Sequence, residues 1–169
     1  MMIIAIDVKY NEETRTAKAV GIMFNWLDDK PKQIISKTIS DVDNYISGQF
    51  YKRELPCIKA VLQEIDLKEV EIIIVDGHIF IDNNENYGLG GYVFKEFNEK
   101  IPVIGVAKTF FKGNETTVKS ICRGQSNKPL FVSSIGIKLE VAIENITNMH
   151  GEFRIPTLLK EIDRLSKEV

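Results

Sequence analysis

The chain has 169 residues, of which 44% are hydrophobic and 27% charged, and its formal net charge is −2. That length suits one domain, 1–169, with a sizeable core, and the charge balance excludes a protein that coats nucleic acid through a global basic surface. No stretch approaches the roughly 18 apolar residues of a membrane span.

The opening "MMIIAIDV" is apolar but carries no signal peptide, and Cys57 and Cys122 fit no metal or redox spacing. The expectation is therefore a cytoplasmic monomer with free thiols and no membrane partner. "MIIAIDV" (2–8) reads as a buried strand ending at Asp7. "TRTAKAVGIMFNWL" (14–27) and "PKQIISKTIS" (31–40) read as two more strands, with Asp28 and Asp29 at the turn between them, so the chain opens on a three-strand antiparallel meander. "QFYKRELPCIKAVLQEI" (49–65) has helical spacing, with Leu55, Ile58, Leu62 and Ile65 on one stripe and Pro56 in the first turn or at a kink. "VEIIIVD" (70–76) is a fourth strand whose continuous apolar run indicates burial on both faces.

"YGLGGYVFKEFNEK" (87–100) is a glycine-rich entry into a helix, and "IPVIGVAK" (101–108) is a strand ending near Lys108. "PLFVSSI" (129–135) is a further strand, followed by helices over "LEVAIENITNM" (139–149) and "IPTLLKEIDRLSKEV" (155–169). Three strands and then helices alternating with strands describe one α/β domain with a mixed sheet. Between 100 and 128 six basic residues, among them Lys108, Lys112 and Arg123, face one acid, Glu115. That segment is either a phosphate-facing patch or a solvated loop region.

A buried strand that stops on a carboxylate needs a reason, because an unpaired buried charge is costly. Asp7 and Asp76 both stand at strand ends; if those strands are parallel neighbours, both emerge at the sheet edge where ligands bind in open α/β sheets. Glu54 sits early in a helix able to cross that edge, and Glu161 or Asp163 on the last helix can add another oxygen. Singly, each acid is equally an N-cap or a turn former. Together they point to hard-oxygen ligation of Mg2+ or Mn2+ and to activation of water against a phosphodiester. Lys108 is placed to meet a phosphate or to be a solvated strand end, and His78 to position substrate, to support a metal ligand or to make a structural hydrogen bond. "GLGG" (88–91) matches no phosphate loop and reads as a tight helix entry.

The ordered set "IAIDVKY" (4–10), "YISGQFYKRELP" (45–56), "IIIVDGH" (72–78), "YGLGGYV" (87–93), "IPVIGVAK" (101–108) and "RIPTLLKEIDRL" (154–165) resembles the endonuclease V family, over nearly the whole chain. The resemblance implies a ribonuclease H-like fold and Mg2+-dependent hydrolysis of DNA or RNA, at the second phosphodiester 3′ to inosine or another deaminated base. By position it implies that Asp7, Glu54 and Asp76 are metal-binding acids and Lys108 a lysine beside the catalytic centre. After the Pro156-Thr157 pair it implies Glu161 as the last metal ligand, with Asp163 as its rival. Tyr45 matches the family's strand-parting wedge, and Gly77, His78, Gly88, Gly90 and Gly91 match the segments that let backbone approach a flipped base.

Three departures accompany the resemblance. Asn44-Tyr45-Ile46-Ser47 lacks the two prolines that flank the wedge, and the chain starts at its first strand without an N-terminal helical segment. Asp82-Asn83 replaces a His-Pro pair. Asp82 either adds negative charge near the substrate phosphate, raising the demand for metal, or points to solvent from a turn-like loop. Two other readings follow: a nucleic-acid-binding relative with lost or altered catalysis, and a metal-dependent phosphohydrolase acting on small nucleotides.

Overall fold

The computed structural model describes residues 1–44, 46, 47 and 49–168. Strands β1 (Met2–Asn11), β2 (Thr16–Phe24) and β3 (Gln33–Ile39) form the expected antiparallel meander. Helix α1 (Phe50–Leu62), strand β4 (Val70–Asp76), helix α2 (Leu89–Glu96) and strand β5 (Val103–Ala107) follow. The chain ends with β6 (Lys119–Ile121), β7 (Leu130–Ile135), α3 (Leu139–Asn148) and α4 (Thr157–Lys167). The seven strands form one sheet in the order β3-β2-β1-β4-β5-β7-β6, in which β1, β4 and β5 are parallel. Among the described residues no helix is long and apolar enough to cross a membrane, and both cysteines are free.

Successive side chains of a strand point to opposite faces, and this parity organises the molecule. Ile4, Ile6 and Val8 of β1 join Ile73 and Val75 of β4 in a core shared with α1 and α2. Ile3 and Ala5 join Ile72 and Ile74 of β4 and Ile104 and Val106 of β5 in a second core, with Ala142 and Ile146 of α3 and Leu158 and Ile162 of α4. Counting on by twos, Asp7, Asp76 and Lys108 all fall on the α4 side. The parallel pairing of β1 with β4 stops at Ile6 and Val75, so both acids leave the sheet side by side.

The first strand does not end at Asp7 as expected; β2 stays paired with β1 as far as Asn11 and Thr16 and carries it on. Helix α1 buries Arg53, Glu54, Cys57, Ile58, Val61 and Leu62, a stripe rotated from the expected one, and Leu55 only flanks the core. That rotation puts Glu54 on the buried face. Strand β6 was missed because three residues show no period.

Gly105, in the middle of β5, is a tight fit. A Cβ there would lie 2.5 Å from the Gly77 carbonyl oxygen and 2.9 Å from Ser133 Oγ, which itself accepts a hydrogen bond from Ile79 N. Gly105→Ala should therefore cost about 1–3 kcal/mol by overpacking. A fall in the urea midpoint with unchanged slope checks it; an unchanged midpoint contradicts it.

Candidate active site

An open groove lies at the carboxyl edge of the parallel strands. Asp7, Glu54, Asp76, Gly77, His78, Lys108 and Asp163 line it, along with Tyr10, Arg53, Phe110 and Phe111. Beneath the acids on the α4 side the floor is apolar, built from Ala5, Ile74, Val106, Leu130, Ile155, Leu159 and Ile162. Such a floor offers a carboxylate no hydrogen bonds and little dielectric screening.

The consequences show in the proton affinities. Glu54 is only 8% exposed, and its carboxyl is pushed up to about 8, first by burial and then by the charges of Asp7 and Asp76, with Arg53 opposing. Burial is also the first cause raising Asp7, where a hydrogen bond from Ser166 opposes it and the charge of Asp163 adds to it. Asp76 is raised by burial and then by Asp7, with Lys108 opposing. Asp76 is open to groove water on one side, yet the protein walls its other sides, so desolvation still dominates. Among the described residues no group donates a hydrogen bond to the Asp76 side chain.

Helix α4 separates the two candidate acids. Glu161 and Asp163 flank Ile162, which packs into the core, so they project to opposite sides of the helix. Asp163 faces the groove, with Oδ1 3.6 Å from Lys108 Nζ and Oδ2 2.6 Å from Lys167 Nζ. Burial alone would raise Asp163, but the hydrogen bond from Lys167 and the charges of Lys108 and Lys167 outweigh it and hold the carboxyl low. Glu161 turns away into a pair with Arg164, 2.6 Å distant. The structure thus brings Asp7, Glu54, Asp76, Asp163 and Lys108 together and leaves Glu161 outside. As they stand, no three acidic, histidine or cysteine side chains among the described residues are gathered closely enough to hold a metal ion.

The remaining expected residues divide. Gly77 lines the groove with a φ of 140° and open space where a Cβ would be. His78 lies in the groove wall with Nε2 3.3 Å from the Thr109 carbonyl oxygen and its buried Nδ1 unpartnered; burial lowers its pKa. Gly88 is a packing residue, because a Cβ would sit 2.9 Å from the His78 carbonyl oxygen. Tyr45 lies outside the described residues. Asp82 is absent from the groove and accepts three hydrogen bonds, from Asn84 N and from Asn86 N and Nδ2. Of the basic run, Lys108 alone lines this groove, while Arg123 is buried as a clamp on the carbonyls of Thr147, Met149, Gly151 and Phe153.

Two further residues escaped sequence reasoning. Ser166, 2% exposed, donates its one hydroxyl proton to Asp7 Oδ2 at 2.6 Å, with the Asp163 carbonyl oxygen 3.0 Å from the same hydroxyl, tying α4 to β1 at the site. Arg53 lies 3.5 Å from the Tyr10 ring centroid and 2.8 Å from Glu12, beside Glu54. Its place in "KRELP" was visible, but its burial was not.

A carboxyl whose folded pKa is raised contributes stability below its ordinary value, and that stability is lost as pH rises through the folded value. For Glu54 the window runs from 4.5 to about 8. With chelator present, wild-type stability should fall across this window relative to Glu54→Gln, by up to about 1.4 kcal/mol per pH unit. Urea midpoints of both proteins at pH 5 and pH 8 test this, and equal differences at the two pH values would contradict it.

The endonuclease V family model matches residues 1–164. Comparison of the sequence with curated proteins found no match. The structure superposes on Ciona intestinalis endonuclease V in complex with a 23mer DNA containing an inosine followed by a ribo-adenosine, with TM-score 0.84 and 18% identity over 98% of this chain and 83% of that one. For the catalytic domain of human endonuclease V the values are 0.78 and 20%, over 98% and 80%. For Bacillus subtilis endonuclease V they are 0.79 and 18%, over 98% and 78%. These likenesses carry the ribonuclease H-like fold, and the match over residues 1–164 carries the family: the chain belongs to the endonuclease V family of nucleases.

Proposed function

We propose that this protein is a metal-dependent endonuclease that hydrolyses a phosphodiester 3′ to inosine or another deaminated base in DNA or RNA. One observation carries the reading: Asp7, Glu54, Asp76 and Asp163 share one groove beside Lys108, and the first three are held at raised proton affinity by burial and by neighbouring carboxylates. Family membership supports it, as do the neighbouring structures solved with inosine-containing DNA.

Mg2+ or Mn2+ suits this donor set in chemistry, although among the described residues no three such side chains stand close enough to hold an ion as they lie. The members of the set are hard oxygens, and among the described residues the Asp76 carboxylate accepts no hydrogen bond. Asp7, Glu54, Asp76 and Asp163 are the residues that would hold the ion. When bound, it supplies charge neutralisation among the acids and acidity to water. The chain's own groups do the rest. Ser166 fixes the rotamer of Asp7 through a 2.6 Å bond. Lys108, 43% exposed, presents a cation to a phosphate oxygen at the groove floor. Gly77 lets a substrate approach the backbone, and the face of Phe111, tilted against His78 at 5.9 Å, suits an unstacked base. Tyr45 is assigned, from the resemblance, to stacking at the point where the base leaves the strand.

Cleavage of a single strand bearing one inosine, with and without Mg2+, tests the reading. Asp7→Asn and Asp76→Asn should each lower the rate by about a hundredfold or more, as the loss of one preorganised charge at a reacting phosphate does. Asp163→Asn should do the same and Glu161→Gln should not; the reverse ranking would return the fourth acid to Glu161. Because Asp82 is tied into its own loop, wild type and Asp82→His should give superimposable Mg2+ titrations. Higher activity of Asp82→His at low Mg2+ would place that residue in the site.

A further inference from the structure

Asp82 and Asn83 stand where the resemblance has a His-Pro pair, and the structure gives each a different task. Asp82 closes its own loop, as described above. Asn83 reaches across to the loop 109–117. Its Oδ1 accepts from Thr116 N and from Thr116 Oγ1, both at 2.9 Å, and its Nδ2 donates to Glu115 Oε2 at 3.3 Å. Glu115 is held in turn, since its Oε1 accepts from Gly113 N at 3.0 Å. Next to it Asn114, 1% exposed, donates to the Phe80 carbonyl oxygen at 3.0 Å. At the other end of the same loop, Thr109 meets the His78 ring nitrogen.

The loop 109–117 is thus tied down at both ends onto the segment 78–83. Between the ties it presents Phe110 and Phe111, 55% and 45% exposed, to the groove. An exposed aromatic ring stacks favourably on an unstacked base, and a fixed ring does so at lower entropic cost than a mobile one. The Lys108 ammonium at the base of the loop marks where a phosphate would lie.

We propose that Asn83 is a positioning residue for base recognition. It holds the 109–117 loop so that Phe111 and His78 form one fixed wall for an unstacked nucleobase. The inference rests on the nuclease reading of the groove and extends it to the residue that sets selectivity.

The test uses fluorescein-labelled single-stranded DNA carrying one inosine, and the same strand with guanosine in its place. Steady-state cleavage is measured for the wild type, Asn83→Ala, Asn83→Asp, and Asn83→Asp combined with Glu115→Gln. Loss of these hydrogen bonds should raise KM for the inosine strand about tenfold, with a much smaller change in kcat, and should erode discrimination against guanosine. Asn83→Asp keeps the acceptor for Thr116 but sets a carboxylate beside Glu115, so it should do no better than Asn83→Ala. Adding Glu115→Gln restores a donor–acceptor pair of reversed polarity and still accepts from Gly113 N, so it should return KM towards the wild-type value. A merely structural role would not give that rescue. Unchanged KM in the single variants, or no rescue in the double variant, overturns the proposal and leaves the nuclease reading standing. A wild type that cuts neither strand overturns both.

Discussion

The site depends on one electrostatic constraint. Carboxylates are gathered at the open edge of a parallel sheet, above an apolar floor, with too few cations nearby. Desolvation and repulsion by neighbouring carboxylates both disfavour the charged forms of Asp7, Glu54 and Asp76, and Glu54, whose side chain is buried from α1 among them, shows the effect most strongly. Lys108 and the Ser166 hydroxyl relieve part of it, but neither reaches Glu54. On the proposed reading, such an arrangement stores proton affinity at the place where a cation would bind.

The fold is arranged to create this constraint. Parallel pairing of β1 with β4 and β4 with β5 makes three strand ends coincide, and strand parity turns Asp7, Asp76 and Lys108 to one side. Helix α4 then closes that side with Leu158 and Ile162 in the core and Asp163 at the rim. Helix α1 brings Glu54 from the opposite face. Each acid is thus held by an element with its own hydrophobic anchor. The repulsion among them is borne by the burial of two cores.

Much of this was legible in the sequence. The apolar run before Asp76, the meander and the alternation of strands with helices gave the sheet, and two strand-end acids implied a common edge. What was not legible depended on rotation and on distant partners. Glu161 and Asp163 both flank the apolar stripe of α4, and sequence periodicity cannot say which flank meets the sheet edge. The stripe on α1 was placed by its leucines and isoleucines, whereas the buried face also carries Arg53 and Glu54, charged residues that periodicity counts as exposed. Arg123 reads from sequence as either phosphate-facing or solvated, and its burial is hidden because its four carbonyl partners come from a segment more than twenty residues away. Asp82 resolved to the turn-like reading, since its partners are all within four residues.

The central claim is that cation binding replaces protons on this acid cluster. Its most direct test is calorimetric titration of Mn2+ into the protein at pH 7, in two buffers of different ionisation heat. The difference between them reports the protons released. The account predicts net release approaching one proton per ion bound, and its loss in Glu54→Gln. Binding without proton release, or release that persists in Glu54→Gln, would contradict it.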